Sequence, residues 1–136
     1  METGMDLSDS REDYLEAIYL ICKEKEVARV KNIAEQLNVS IGSVNYAINA
    51  LSNSGLIKHK RYGYIELTEK GRKLGKKISK KHQLIKDFLI KILSVDEKIA
   101  EKDACRIEHD ISNQTLKKID SFLRLYKKEG NSDESY

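Results

Sequence analysis

Three side chains that commonly bind metals stand close together near residue 105. Cys105, Glu108 and His109 follow one another at i, i+3 and i+4, so they share one face if the segment is helical. A thiolate, a carboxylate and an imidazole on one face form half of a site for a divalent first-row metal. The same triplet also fits a solvated helix with one small core cysteine, so the surrounding elements must decide.

The composition indicates a helical protein of a reducing compartment. Of 136 residues, 40% are hydrophobic and 35% are charged, with no Pro and seven Gly, which favours amphipathic helices over an all-β fold. No stretch has the length and apolarity of a membrane span. The first residues lack the order of a signal peptide, and two distant cysteines do not indicate a disulfide. We therefore expect a cytoplasmic protein without a membrane partner.

The charges are divided unevenly along the chain. Residues 58–91 carry 12 basic and three acidic side chains, whereas the segments on either side have a small acidic excess. A basic block of this kind attracts a phosphate backbone, although a solvated lysine-rich helix has the same composition. The block indicates nucleic-acid binding only if an element that can enter a DNA groove lies beside it.

Such an element is predicted immediately before the basic block. Residues 30–51 have the apolar spacing of two short helices joined by a tight turn, and Ser40 is a suitable N-cap for the second. Gly55 is a C-terminal helix signal. Two strand-like runs, 56–61 and 64–67, follow with a Tyr-Gly turn between them. A hairpin directly after a helix-turn-helix is a wing, so the pattern predicts a winged helix-turn-helix.

The other predicted elements are helices. The first begins at a Ser10 cap, and a long basic helix runs from Thr68 to about Leu93. Two more helices are predicted over about 96–110 and from Ser112, and the chain from Gly130 has the composition of a solvated tail. The predicted fold is therefore mainly α.

Two domains follow from this order of elements. We predict a winged helix-turn-helix DNA-binding domain over 1–70 and a helical dimerisation and metal-binding domain over 71–136. The second domain is too small to bury a core by itself, so its apolar faces indicate a homodimer.

The predicted DNA contacts fall into two groups. The exposed face of the second short helix has no basic residue, so hydroxyl and amide groups would read base edges while an apolar side chain touches a thymine methyl. The predicted base-reading residues are Ser40, Ile41, Gly42, Ser43, Asn45, Tyr46 and Asn49. Phosphate contacts are predicted for Lys31, Lys58, Lys60 and Arg61. The predicted partner is a double-stranded DNA operator.

Several blocks of this sequence resemble the diphtheria toxin repressor family of metal-dependent transcriptional regulators. The blocks are EDYLEAIY from Glu12, IAEQL from Ile33, LTEKG from Leu67, KHQLI from Lys81 and DACRIEH from Asp103. They occur in the order and spacing of the family and cover nearly the whole predicted fold. The resemblance is closest to the shorter, manganese-responsive branch.

The resemblance implies a divalent metal cofactor, Mn(II) or Fe(II), and a ligand set on three helices. Carried over residue by residue, the metal ligands are Asp13, Glu16, His82, Cys105, Glu108 and His109. The set is a hybrid, because manganese-type members have Glu at the position of Cys105 and iron-type members have Met at the position of Asp13. Iron-type members also have an acidic residue one turn after the histidine, where this chain has Lys86. Glu101 could still serve a second ion, so the number of ions stays open.

The function implied is repression of manganese or iron homeostasis genes, with metal binding fixing the geometry in which a dimer meets its operator. Two alternatives stay open: a redox-sensing regulator that uses Cys105, and a winged-helix module that binds proteins. No Gly-rich phosphate loop or other substrate-binding motif occurs, so we do not expect an enzyme.

Overall fold

The structure is a computed structural model that describes residues 7–60 and 63–134, with side chains described as far as residue 127. The chain divides into two compact units, Met1–Ser79 and Lys80–Tyr136. The predicted functional division at residue 70 stays a prediction.

The predicted mainly α fold is confirmed. Within the described residues, six helices and three short strands occur in the order α1 (Asp9–Lys25), β1 (Ala28–Arg29), α2 (Val30–Leu37), α3 (Ile41–Asn53), β2 (Ile57–His59), β3 (Tyr64–Leu67), α4 (Glu69–Lys91), α5 (Glu97–Asp110) and α6 (Asn113–Glu134).

The first unit contains the predicted helix-turn-helix. Helix α2 ends at Asn38, whose positive φ of 55° closes the turn, and the Ser40 hydroxyl caps α3 by accepting from the Ser43 N–H. At the other end, Gly55 has φ of 75°, and the Leu56 N–H donates to the Leu51 carbonyl. This is a Schellman motif, so both predicted boundaries of the second short helix are confirmed.

The wing is a three-stranded antiparallel sheet, one strand more than we predicted. Strands β2 and β3 form the hairpin with Lys58 opposite Glu66, and the two-residue strand β1 pairs with the other edge of β3, giving the order β1-β3-β2. The Arg29 guanidinium of β1 lies 4.7 Å from the centre of the Tyr64 ring and donates to the Tyr64 hydroxyl at 2.8 Å. This cation–π contact and hydrogen bond tie β1 to the wing.

The core of the first unit joins helices α1 to α3 to the sheet. Its fully buried side chains include Leu15, Ile33, Leu51 and Ile65. The recognition helix α3 is held by Val44, Ala47 and Ile48 on its buried face, which leaves the opposite face open to solvent.

The start of α4 is bonded to the end of α3. Thr68 donates its hydroxyl to the Gly55 carbonyl at 2.7 Å and accepts from the Gly71 N–H at 3.0 Å. The Thr68 N–H also donates to the Leu56 carbonyl. A Cβ on Gly71 would lie 1.8 Å from that same carbonyl oxygen, so only glycine permits the close approach of α4 to the Leu56 backbone.

The second unit has a smaller core. Ile85 and Leu89 of α4 pack against Ala100 and Ala104 of α5. Phe88 of α4 meets Phe122 of α6 edge to face, with ring centroids 6.3 Å apart. The Asp96 carboxylate caps α5, one of the two caps, Ser94 or Asp96, that the sequence allows. The Ser112 hydroxyl accepts from the Thr115 N–H at the predicted start of α6.

Two helix ends differ from the prediction. Helix α1 is capped by Ser8, which accepts from the Arg11 N–H, so the predicted Ser10 cap is wrong and Ser10 lies in the first turn. Helix α6 continues to Glu134, so the predicted tail from Gly130 is wrong as far as that residue. The apolar and polar pattern of the sequence weakens there, so the pattern did not predict this last part of the helix.

Substituting Gly71 with Ala should destabilise the fold, because the new methyl group collides with a backbone carbonyl that α4 cannot leave. We expect Gly71→Ala to lower the free energy of unfolding by about 2 kcal/mol, measured by urea denaturation of the metal-free protein. The matched control is Gly42→Ala on α3, whose Cβ would meet only the Ser40 hydroxyl at 4.0 Å. The control should be neutral or gain about 0.5 kcal/mol. Equal stability of both variants would contradict the close-approach argument.

Candidate metal centre and DNA-binding surface

Within the second unit, α4 and α5 bring His82 between two carboxylates. The His82 Nδ1 atom lies 2.5 Å from Oε1 of Glu108, and its Nε2 atom lies 2.9 Å from Oε2 of Glu101. His82 is 9% exposed and Glu108 only 1%. The structure therefore brings two of the six predicted ligands into contact, across a sequence separation of 26 residues.

Glu108 is bonded through only one of its two oxygens. Oε2 is buried and has no hydrogen-bond partner among the described residues. A buried polar atom left without a partner costs roughly 1–3 kcal/mol, and more when it belongs to a charged group. Such an atom in a native fold needs an explanation, and one explanation is a bound ion that takes the place of the missing hydrogen bond.

The two carboxylates change the ionisation of the imidazole. The hydrogen bond that His82 donates to Glu108 raises the pKa of His82 to about 9, against the opposing effect of burial, and Glu101 adds to the rise. Burial raises the pKa of Glu101, but hydrogen bonds from His82 and Lys86 outweigh it, so the net shift is downward. A metal can bind His82 only after replacing the proton that these carboxylates hold on it.

The other predicted ligands lie on two helices. Cys105 and His109 lie one turn apart on α5, with Glu108 between them in sequence, and both side chains are half-buried. Asp13 and Glu16 lie half-buried on α1 of the first unit. That these two join the α5 residues around one ion stays a prediction.

The residues of the second unit fit a divalent ion. Cys105, Glu108 and His109 share a helix face with His82 against it, which combines sulfur, oxygen and nitrogen donors. The buried Oε2 of Glu108 has no hydrogen-bond partner among the described residues, so it is available to bind an ion. Sequence reasoning singled out these four residues as candidate ligands, but it did not predict the contact of His82 with Glu101.

The predicted base-reading face of α3 is open to solvent. Ser40, Gly42, Ser43, Asn45 and Asn49 are exposed. Two large apolar side chains on the same face are also exposed, Ile41 at 50% and Tyr46 at 74%. Exposed apolar groups of this size beside amide and hydroxyl groups suit contact with base edges and thymine methyls in a major groove.

The predicted phosphate contacts are only partly described. Lys31 and Lys58 are exposed, and Lys60 is exposed while forming a 3.7 Å ion pair with Glu66 across the hairpin. Arg61 lies outside the described residues. Arg29 was not among the predicted contacts, and a hydrogen bond to Tyr64 holds it at the base of the wing. Sequence reasoning did not predict β1, the strand that carries Arg29, because two residues are too few to show an alternating pattern.

A second feature that sequence reasoning missed is a groove beside the N-terminal end of α3. Gly42, Ser43 and Tyr46 form one wall, and Ser8, Ser10 and Arg11 of α1 form the other. Arg11 places one cation next to a face that otherwise has hydroxyl and amide groups. None of the described helices is long and apolar enough to cross a membrane.

Two family models match almost the whole chain. Residues 6–65 match the iron-dependent repressor N-terminal DNA-binding domain, and residues 68–134 match the iron-dependent repressor metal-binding and dimerisation domain. The chain belongs to the iron-dependent repressor family of metal-dependent, DNA-binding transcriptional regulators.

Its relatives include several HTH-type transcriptional regulators. It is 40% identical over 117 residues to the HTH-type transcriptional regulator MntR of Shouchella clausii, which is 86% of this chain and 81% of the relative. It is 35% identical over 120 residues to MntR of Bacillus subtilis, 88% of this chain and 84% of that one. An uncharacterised regulator of Methanocaldococcus jannaschii, MJ0568, is 38% identical over 122 residues, 89% of this chain and 98% of the relative.

Solved structures agree with the fold. The manganese regulator SloR has a TM-score of 0.75 at 32% identity, with 84% of this chain and 53% of that chain covered. The metal-dependent transcriptional regulator MtsR has a TM-score of 0.77 at 30% identity, with 84% and 53% covered. This chain thus spans about half the length of these solved proteins. The resemblance predicted from sequence, with its manganese-type leaning, is confirmed.

Proposed function

We propose that this protein is a homodimeric repressor that binds the operators of manganese or iron uptake genes when a divalent metal is bound. The observation that carries the proposal is Glu108, a buried carboxylate with one oxygen on His82 and the other without a partner. A protein that controls operators works where the chromosome is, so we place it in the cytoplasm. Its role is regulatory rather than catalytic.

The proposed ligands are the six carried over from the family resemblance. They are Asp13, Glu16, His82, Cys105, Glu108 and His109. A bound divalent ion supplies two positive charges and several strong coordination bonds. Without it, Asp13, Glu16 and Glu108 would gather three negative charges, which disfavours any arrangement that brings them together. These residues therefore make the DNA-binding arrangement conditional on the metal, as a population shift between two states.

The donor set restricts the choice of metal. Carboxylates favour Mn(II), whereas the thiolate of Cys105 favours softer ions such as Fe(II), Co(II) or Zn(II). The structural neighbour SloR is described as a manganese regulator, while the matching family models are described as iron-dependent. We propose Mn(II) or Fe(II) as the effector.

The proposed dimer would use apolar surface of the second unit. Leu93 is 55% exposed, Ile99 54% and Leu125 61%, and a second copy could cover such side chains. The two recognition helices of a dimer must lie about 34 Å apart to enter successive major grooves. Binding of metal would favour the arrangement with that spacing.

The proposed DNA contacts lie on two surfaces, one for the major groove and one for the phosphates. The exposed face of α3, with Ile41, Tyr46 and the polar residues between them, would enter the major groove. Lys31, Lys58, Lys60 and Arg61 would contact phosphates, and we add Arg11 from the groove beside α3. Affinity that depends on phosphate contacts falls steeply with salt.

Removing the charge of Glu108 should separate metal binding from folding. In metal-free protein, Glu108→Gln removes both a buried charge and an ion pair, two opposing effects, so we expect a change within about 1 kcal/mol in unfolding free energy. Saturating Mn(II) should stabilise the wild type by about 2.7 kcal/mol at 100 times its Kd. Glu108→Gln should lose nearly all of that gain in thermal denaturation.

The matched control is Glu97→Gln, because Glu97 is an exposed carboxylate on the same helix. It should keep the full stabilisation by Mn(II). Full stabilisation of Glu108→Gln would remove Glu108 from the ligand set.

Metal-dependent operator binding can be measured by fluorescence anisotropy on a promoter fragment, anaerobically, with Mn(II), Fe(II) and Zn(II) compared. We expect tight binding only with metal, and Glu108→Ala and His109→Ala should both lose the metal response. A normal metal response in both variants would refute the model. Metal-free binding that peroxide abolishes would favour the redox alternative at Cys105, and no binding to any duplex at low salt would favour the protein-binding module.

The wing should contribute affinity without specificity. Lys58→Ala should weaken binding to all duplexes by a similar factor and reduce the slope of log K against log salt by about one. Lys118→Ala is the control, since Lys118 is an exposed lysine of α6 in the other unit. An unchanged salt slope in Lys58→Ala would show that this face of the hairpin does not meet the phosphate backbone.

A further inference from the structure

A cavity of about 480 Å³ opens in the first unit, and none of the residues proposed to bind metal or DNA lines it. Its walls come from the second half of α1, the end of β3 and the first half of α4. The lining residues are Tyr19, Cys22, Lys23, Glu26, Leu67, Arg72 and Lys76. Pockets that bind small molecules have volumes of roughly 300–1,000 Å³, so this cavity has the size for a small organic molecule.

Close packing of α4 on α1 builds the apolar wall of the cavity. A Cβ on Gly75 would lie 2.8 Å from the Tyr19 Cβ, so the two helices pass each other closely at this glycine. Tyr19 and Leu67 supply the apolar lining. The Cys22 thiol is half-buried, with its Sγ atom 4.0 Å from the Ile65 carbonyl oxygen of β3. This wall therefore belongs to the packed part of the unit.

Three of the lining side chains are cations and one is a carboxylate. Arg72 and Lys76 lie one turn apart on α4, and the Lys23 ammonium of α1 lies 5.8 Å from the centre of the Tyr19 ring. No ion pair among the described residues involves these cations or Glu26. The cavity thus has an excess of two positive charges.

The charge of Arg72 acts on the inside of the cavity, although the residue as a whole is exposed. Burial raises the pKa of the Cys22 thiol, the charge of Arg72 opposes that rise, and Glu66 adds to it. Charges in water are screened over short distances, so the guanidinium must lie near the thiol. A guanidinium is a planar fork that binds phosphate oxygens through two parallel hydrogen bonds.

We propose that this cavity binds a small organic phosphate, with the phosphate group held by Arg72, Lys76 and Lys23 and the organic part against Tyr19 and Leu67. A phosphate monoester carries about −1.5 to −2 charges at neutral pH, which matches the excess of positive charge in the lining. The inference goes beyond the proposed function and does not depend on it, because none of the six proposed metal ligands lines the cavity.

The test is isothermal titration calorimetry on full-length, metal-free protein, since divalent ions themselves bind phosphates. The probes are AMP, glucose 6-phosphate and inorganic phosphate, with adenosine and glucose as uncharged counterparts. We expect at least one of the two organic phosphates to bind about tenfold more tightly than inorganic phosphate, because its organic part also buries apolar surface. The uncharged compounds should not bind.

Alkylation of Cys22 locates the bound probe. The thiol lines the cavity, so a saturating organic phosphate should slow its reaction with iodoacetamide at mildly alkaline pH. Peptide mass spectrometry follows Cys22 and Cys105 separately in the same sample. Cys105 lies on α5 in the other unit, and its rate should not change. An unchanged rate at Cys22 under saturation would overturn the inference.

Substitutions in the lining test the charge pattern. Arg72→Gln and Lys76→Gln should each weaken binding about tenfold, because each removes a charge-assisted hydrogen bond to the phosphate. Glu26→Gln should tighten binding, since that carboxylate repels the phosphate. The matched control is Lys73→Gln, an exposed cation of the same helix that does not line the cavity, and its affinity should stay at the wild-type value.

Three further outcomes would overturn the inference. An equal loss of affinity in Lys73→Gln and Arg72→Gln would mean that α4 attracts anions through its overall charge. Equal affinity for organic and inorganic phosphate would leave no role for Tyr19 and Leu67. No binding of either organic phosphate would remove the site altogether. None of these results bears on the proposed function, which the metal-dependent anisotropy measurement tests by itself.

Discussion

The contact between His82 and Glu108 is the interaction on which the arrangement of the second unit depends. A carboxylate with 1% exposure is expensive to bury, because its charge loses the solvation of water. One oxygen recovers part of that cost through the imidazole, and the other does not. The small residues Ala100 and Ala104 let α5 approach α4 closely enough for this contact. The buried charge of Glu108 therefore costs folding free energy at the point where a bound cation would be most strongly favoured.

Much of the fold could be predicted because it depends on residues that lie near one another in the sequence. The spacing of Val44, Ala47 and Ile48 fixed the buried face of α3, and the hydroxyl of Ser40 and the positive φ of Gly55 bound that helix as expected. The helix that carries Cys105, Glu108 and His109 was also predictable, since their spacing on one face needs no tertiary information. Their family pattern then added His82, which the structure brings to Glu108.

The features that were missed depend on partners far apart in sequence or on very short elements. Strand β1 has two residues, too few for an alternating pattern, and exists only because it pairs with β3. Ser8 and Ser10 are equivalent caps by composition, and the choice between them depends on which one meets the Arg11 N–H. The Glu101 and Lys86 contacts could not be predicted because they join different helices. Lys86 was visible in sequence only as the absence of an acidic residue.

The junction at Thr68 has a mechanical consequence. Its hydroxyl joins the Gly55 carbonyl to the Gly71 N–H, its own N–H bonds to Leu56, and Gly71 lies directly against that residue's backbone. These contacts hold the first turn of α4 directly against the backbone that follows the recognition helix. A rotation of α4 at this point cannot be absorbed by a flexible linker and must turn α3 and the wing with it. The first turn of α4, the recognition helix and the wing therefore form one mechanically continuous element within the first unit.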